Sequence, residues 1–139
     1  MNFEFSYGME VKYTLNTHHK RLKRFSSPDD SAIVRFKLPK KEMKRIFDMM
    51  DSMELDTFPQ SFKILGGLDS TTVKYPCSYF IIHLYFKTYE KHVSWDDCRG
   101  AIPPDEKSQA LERLQNLIVS IIQSQKKYKK LPALKRGYI

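Results

Sequence analysis

The stretch that decides the fold is residues 79–87, YFIIHLYFK, which returns after a short polar break as residues 92–97, HVSWDD. Both runs are rich in aromatic and β-branched residues, and the break between them suits a hairpin turn. Side chains alternate between the two faces of a strand. The apolar positions of both runs therefore share one face: Leu84, Phe86, Val93 and Trp95. The pattern predicts an antiparallel hairpin with one buried face.

An even register about Tyr89 and Glu90 is expected for this hairpin. It sets Leu84 opposite Trp95 and Phe86 opposite Val93 on the apolar face. On the other face the predicted pairs are Lys87 with His92, Tyr85 with Ser94, and His83 with Asp96. A carboxylate opposite an imidazole can fix the tautomer of the ring, but no nucleophile, oxyanion donor or glycine-rich loop accompanies this pair in the sequence. We predict a structural surface pair, with no catalytic residue.

Composition indicates one globular domain. The chain has 139 residues, of which 41% are hydrophobic and 29% are charged. Cys77 and Cys98 belong to no C-x-x-C pair and have no matching histidine spacing. They are expected to be free thiols, and the sequence predicts neither a metal site nor a cofactor. The adjacent carboxylates Asp96 and Asp97 point to opposite faces of a strand and do not make a metal pair.

The sequence indicates a cytoplasmic location and no membrane contact. Residues 1–7 alternate between polar and apolar side chains and have neither a basic nor a long apolar leader segment. The longest apolar run, Tyr79 to Phe86, is far shorter than the roughly 18 residues that span a bilayer, and it contains His83.

Two segments carry the positive charge. The net charge is +8, of which residues 20–24 contribute +4 and residues 126–136 contribute +6, so the remainder is close to neutral at −2. Such segments either attract an anionic partner or keep the protein soluble. If they bind nucleic acid, the residues involved are Lys20, Arg21, Lys23, Arg24, Lys126, Lys127, Lys129 and Lys130.

The rest of the chain predicts further strands and two helices. The alternation of residues 3–15 changes phase at Gly8, which indicates either a bulge in one long strand or a tight turn between two short ones. Residues 16–30 are predicted to be a long polar loop, and residues 32–38 a half-buried strand. Helical spacing of apolar residues follows Pro39 and ends near Leu55. A second helix is predicted after Pro103.

This order of elements predicts an α+β fold, in which an antiparallel β-sheet has two amphipathic helices packed on one face. The apolar stripe of the second helix consists of Leu111, Leu114, Leu117, Ile118, Ile121 and Ile122. The predicted domain covers residues 1–125, and residues 126–139 are expected to form a basic, flexible tail.

A hairpin that ends in Val93-x-Trp95-Asp96-Asp97, followed by the proline pair 103–104 and a leucine-rich terminal helix, resembles a pattern in small uncharacterised bacterial domains. The resemblance covers roughly residues 31 to 122. In this chain Asp97, Cys98 and Arg99 precede Gly100, so the turn departs from the usual form. The resemblance implies no activity, and no functional residue is carried over from it.

The sequence favours a non-enzymatic module that binds a protein partner or a second copy of itself. The predicted surface is the second face of the sheet, because an uncovered row of aromatic and aliphatic side chains is typical of an interface. Its residues are Tyr79, Ile81, His83, Tyr85, Ser94 and Asp96. The alternative is nucleic-acid binding through residues 18–24 and the C-terminal tail.

Overall fold

The computed structural model describes residues 1–62, 78–96 and 106–132. The strands in these ranges are β1 (Asn2–Gly8), β2 (Lys12–Asn16), β3 (Arg21–Ser27), β4 (Asp30–Arg35), β5 (Ser61–Phe62), β6 (Tyr79–Tyr85) and β7 (Glu90–Asp96). The helices are α1 (Lys40–Ser52), α2 (Glu106–Ser124) and α3 (Lys126–Lys129), with a single 3₁₀ turn at Leu55–Thr57.

The described strands form one sheet in the order β4-β3-β2-β1-β6-β7-β5. Every pairing is antiparallel except that of the two-residue edge strand β5 with β7. The N-terminal strand β1 therefore lies at the centre, between β2 and β6. This arrangement confirms the predicted α+β class and its antiparallel sheet.

Both long helices pack on the same face of the sheet, called here the inner face. Phe3 and Phe5 of β1 point to this face and are fully buried. The ring of Phe3 meets Phe47 of α1 edge-on, with the centroids 5.7 Å apart. The indole Nε1 of Trp95 on β7 donates a hydrogen bond to Gln115 Oε1 of α2, at 2.7 Å. The predicted packing of the helices is confirmed, and burial of these rings stabilises the fold.

The structure replaces the predicted loop at residues 16–30 with a β-hairpin. Strands β2 and β3 pair from Lys12 opposite Phe25 to Asn16 opposite Arg21. Leu22 is fully buried on the inner face, whereas its neighbours Arg21 and Lys23 are exposed on the other. The prediction was wrong because charged side chains on the solvent side of a strand resemble a loop in composition while still obeying the alternation of period two.

Beyond residue 125 the described part of the chain continues as the short helix α3, Lys126–Lys129. The domain boundary at residue 125 and the flexibility of the tail stay predictions. Tyr128 lies against Tyr13 of β2, with ring centroids 5.8 Å apart, and Leu131 packs against the core as well. These apolar anchors attach the first part of the basic segment to the helix side of the sheet.

Several sequence predictions fall outside the described residues. They concern both cysteines (Cys77 and Cys98), Asp97, the proline-led start of the second helix at residues 103–105, and residues 133–139 of the tail.

Gly8 ends β1 and begins the tight turn into β2, which settles the choice between a bulge and a turn. Its φ is 136°, a region that side-chain-bearing residues rarely adopt. A Cβ at this position would collide with the carbonyl oxygen of Val11. The turn therefore requires glycine.

We expect Gly8→Ala to lower the free energy of unfolding by about 1–3 kcal/mol, because alanine must either adopt the strained φ or open the turn. Urea unfolding monitored by Trp95 fluorescence measures the change. Met9→Ala, at the neighbouring exposed position of the same turn, serves as the control and should change stability little. Equal stability of Gly8→Ala and the wild type would contradict this account of the turn.

Candidate binding face of the sheet

The face opposite the helices, called here the outer face, contains the predicted hairpin surface, but the hairpin register differs from the predicted one. His83 lies opposite His92, Leu84 opposite Lys91, and Tyr79 opposite Asp96. The predicted pairing of His83 with Asp96 is therefore wrong, as is that of Leu84 with Trp95. Each β6 residue lies opposite a β7 residue four positions before its predicted partner. Because four is an even number, each side chain stays on its predicted face.

The turn between β6 and β7 explains the shifted register. The backbone N–H of Phe86 donates to the carbonyl oxygen of Tyr89 at 2.9 Å, and the two rings stack with centroids 4.5 Å apart. Phe86 thus belongs to a compact turn and does not pair with Val93. The hairpin then closes at Tyr85 opposite Glu90. Phe86, which the sequence pattern assigned to the buried face of the strand, stabilises the turn instead.

An apolar ridge occupies the middle of the outer face. Tyr79 and Ile81 of β6 point outward and are 58% and 43% exposed. Ile81 lies between Ser6 on β1 and Ser94 on β7, and Tyr79 lies beside Gly8. Since Ser6 and Gly8 have small side chains or none, Tyr79 and Ile81 stand higher than their two neighbours on β1. Tyr79 and Ile81 together form the β6 ridge.

A histidine cluster lies at the end of the outer face next to the β6–β7 turn. His83 Nε2 is 2.9 Å from the Glu90 Oε2, and its ring stacks on Tyr85 with centroids 4.4 Å apart. The His92 ring is 5.8 Å from that of His83, and its Nδ1 is 3.3 Å from Gln60 Nε2. His83, Glu90 and His92 line an open surface depression of about 540 Å³.

This cluster combines two imidazole rings and a carboxylate at an exposed end of the outer face. The His83–Glu90 pair is largely solvated, since Glu90 is 63% exposed, and such pairs contribute little to stability. No group of three or more metal-ligating side chains is found among the described residues. The arrangement suits polar contacts at the rim of an interface.

The remaining two predicted hairpin residues are less accessible. Asp96 is on the outer face opposite Tyr79, but its side chain is buried, with 9% exposure. Ser94 is half-buried beside the edge strand β5, and its backbone N–H donates to the carbonyl oxygen of Gln60 at 2.9 Å. The outer face therefore brings all six predicted residues to one side of the sheet, with Tyr79 and Ile81 as its most exposed members.

The outer face of β2, β3 and β4 is strongly cationic. The register places Arg21 opposite both Asn16 and Arg35, Lys23 opposite Thr14 and Ile33, and Phe25 opposite Lys12 and Ser31. Lys12, Arg21, Lys23 and Arg35 are exposed, and no outward position of these three strands in this register carries a carboxylate. We call Arg21, Lys23, Phe25 and Arg35 the cationic strip.

Sequence reasoning included only Arg21 and Lys23 of this strip. Lys12, Phe25, Ile33 and Arg35 were missed, because they adjoin the basic segment only once strands β2–β4 are paired. The sequence feature that indicates this strand is the alternation in Arg21-Leu22-Lys23-Arg24-Phe25, where Leu22 is an inward residue.

The other predicted basic residues lie elsewhere. Arg24 points to the inner face and is only 6% exposed, so the segment does not present it to a ligand. It lies opposite Tyr13. Burial raises the pKa of the Tyr13 phenol, and Tyr128 raises it further, whereas Arg24 opposes both by its charge and a hydrogen bond.

The C-terminal lysines do not share the face of the cationic strip. Helix α3 contacts the sheet through Tyr128 and the inward-facing Tyr13, that is, from the helix side. Its Lys126, Lys127 and Lys129 are exposed, as is Lys130 after it, while Lys20 occupies the β2–β3 turn with a φ of 54°. The two basic segments therefore do not form one continuous surface within the described residues.

Comparison of the chain with models of protein families, with curated proteins and with solved structures finds no match. The resemblance to small uncharacterised bacterial domains consequently stays a prediction. No helix in the described ranges is both long and apolar enough to cross a membrane.

Tyr85 offers a test of the electrostatics at the histidine cluster. Burial raises the pKa of its phenol above the usual value of 10.0, and the charges of Glu4 and Glu90 raise it further. Because its pKa is higher in the folded state, Tyr85 stabilises the fold fully below about pH 10, and that contribution is lost as the pH rises through the folded-state pKa.

We expect Glu90→Gln to lower the pKa of Tyr85 while leaving it above the usual value, since burial remains. An NMR titration of ¹³C-labelled tyrosine, assigned with Tyr85→Phe, measures this pKa. Glu54→Gln removes an exposed carboxylate outside the sheet and is the control. An unchanged Tyr85 pKa in Glu90→Gln would refute the contribution of Glu90.

Proposed function

We propose that this protein is a non-enzymatic protein-binding module that associates with a second copy of itself through the outer face of its sheet. The observation that supports this proposal is the β6 ridge, in which Tyr79 and Ile81 remain 58% and 43% exposed although the other face of the same strand is buried. Exposed apolar side chains grouped on a flat sheet face favour association with another protein.

The neighbours of the ridge support a second copy as the partner. Ser6 and Gly8 on β1 are the small residues directly beside Ile81 and Tyr79. A two-fold axis parallel to the strands, between β1 and β6, would lay the ridge of each copy over Ser6 and Gly8 of the other. Ile81 of each copy then faces Ser6 of the other, and Tyr79 of each copy faces Gly8 of the other. Such a self-complementary contact is what a closed symmetric dimer requires.

The size of the contact bears on the strength of the dimer. The contact involves the central strands β2, β1, β6 and β7, whose three spacings of about 4.8 Å and length of about 20 Å give a flat area of about 300 Å². This is less than the roughly 800 Å² that each partner buries in a stable interface, so the dimer is expected to be weak. Polar groups at the rim, including His83 and Glu90, suit the solvated edge of such a contact.

Sedimentation velocity over about 5–500 µM protein tests the proposal. We expect a monomer–dimer equilibrium that changes little between 50 and 500 mM NaCl, because apolar burial is not screened by salt. Ile81→Asp should weaken the dimer by at least about tenfold, since it places an unpaired charge in the contact. Met9→Asp makes the same change at an exposed apolar position in the β1–β2 turn and should have no effect.

Two results would overturn the proposal. One is a wild-type chain that remains monomeric at the highest concentration. The other is a dimer that Met9→Asp weakens as much as Ile81→Asp does. Circular dichroism and thermal unfolding of each variant show that any loss reflects the interface and not the fold.

A further inference from the structure

We infer that the cationic strip binds the backbone of a single-stranded nucleic acid. This inference goes beyond the proposed self-association and concerns β3 and β4, whereas the proposed dimer contact centres on β1 and β6. The strip consists of Arg21, Lys23 and Phe25 in alternate positions of β3, with Arg35 beside them on β4.

Two arginines face each other across the edge of the sheet. Arg21 lies directly opposite Arg35, and both side chains are exposed. Like charges at directly opposed positions destabilise a pair of strands, and no outward carboxylate on β2–β4 offsets them in this register. A phosphate bound between the two guanidinium groups would relieve this repulsion, since planar guanidinium groups pair with phosphate oxygens through two parallel hydrogen bonds.

The strip continues along the strand with a second cation and an aromatic ring. Lys23 follows Arg21 at a spacing of about 7 Å, which is two residues of an extended strand. Its Nζ lies 5.6 Å from the ring centroid of Phe25, which is itself 37% exposed. Exposed aromatic rings stack on unpaired bases while neighbouring cations hold the backbone. Ile33, 61% exposed and opposite Lys23, adds apolar area beside the ring.

The geometry favours a single strand over a duplex. Phe25 can stack only on a base whose face is free, and the bases of a duplex are stacked on one another. It also favours nucleic acid over an acidic polypeptide, because a carboxylate would use the cations but gain no stacking on Phe25. The exposed Lys20 in the adjoining turn extends the cationic surface at one end.

The test uses fluorescence anisotropy of the full chain with 5′-labelled dT30 and rU30 between 50 and 200 mM NaCl. We expect binding that weakens steeply with salt. Arg21→Gln/Arg35→Gln should weaken it at least about tenfold and reduce the slope of log K against log salt by about 0.7, the value for the one phosphate contact that the two arginines share on a single strand. Phe25→Ala should weaken it at least about fivefold at any salt concentration.

The matched control is Lys40→Gln/Lys41→Gln. It removes the same charge from two exposed residues at the start of α1, outside the sheet. Its affinity for dT30 should stay close to that of the wild type. Thermal unfolding supplies an independent readout, since Arg21→Gln/Arg35→Gln removes a repulsion and should not lower the stability.

Several outcomes would overturn the inference. They are an absence of binding at 50 mM NaCl, equal losses in the two double variants, a duplex of the same length that binds more tightly than dT30, and displacement of dT30 by poly-glutamate as effectively as by unlabelled dT30. The test also separates this inference from the proposed dimer. Ile81→Asp should weaken self-association and retain oligonucleotide binding, whereas Arg21→Gln/Arg35→Gln should weaken oligonucleotide binding and retain self-association.

Discussion

The alternation of side chains along the two central strands, β1 and β6, is the constraint on which the structure depends. Phe3 and Phe5 of β1 and Ile82 and Leu84 of β6 point inward and are almost completely buried beneath the helices. A strand has only two faces, so burial of one set determines the position of the other. Ser6, Ile81 and their neighbours are therefore presented on the outer face, whatever they bind there.

The outer face has two chemically different regions because its strands differ in sequence. On β6 the exposed residues Tyr79 and Ile81 are aromatic and aliphatic and lie next to the small residues Gly8 and Ser6 on β1, which produces a ridge. On β3 and β4 they are arginine, lysine and phenylalanine. The first region suits contact with a similar protein surface, and the second suits a polyanion with flat, stackable groups. Both proposals follow from one property of the fold, namely that helices cover only one side of the sheet within the described residues.

Local patterns predicted most of the elements and failed where charge or an aromatic residue obscured them. The helices at residues 40–52 and 106–124 and the faces of the β6–β7 hairpin agree with prediction because their apolar periodicity is strong. Strand β3 was missed because its outward side chains are cationic. The hairpin register was wrong because Phe86 stacks on Tyr89 in the turn instead of pairing with Val93.

By itself, the sequence determined the α+β class, the two amphipathic helices and the side of the hairpin that each residue occupies, since all of these follow from the spacing of apolar residues along the chain. Only the tertiary structure decided which residues meet across strands. It placed Arg21 opposite Arg35, buried Arg24 on the inner face, and separated the C-terminal lysines from both arginines of the strip. The physical reason is that periodicity specifies the face of a side chain, whereas its neighbours depend on strand order and register, which turns and packing set over the whole sheet.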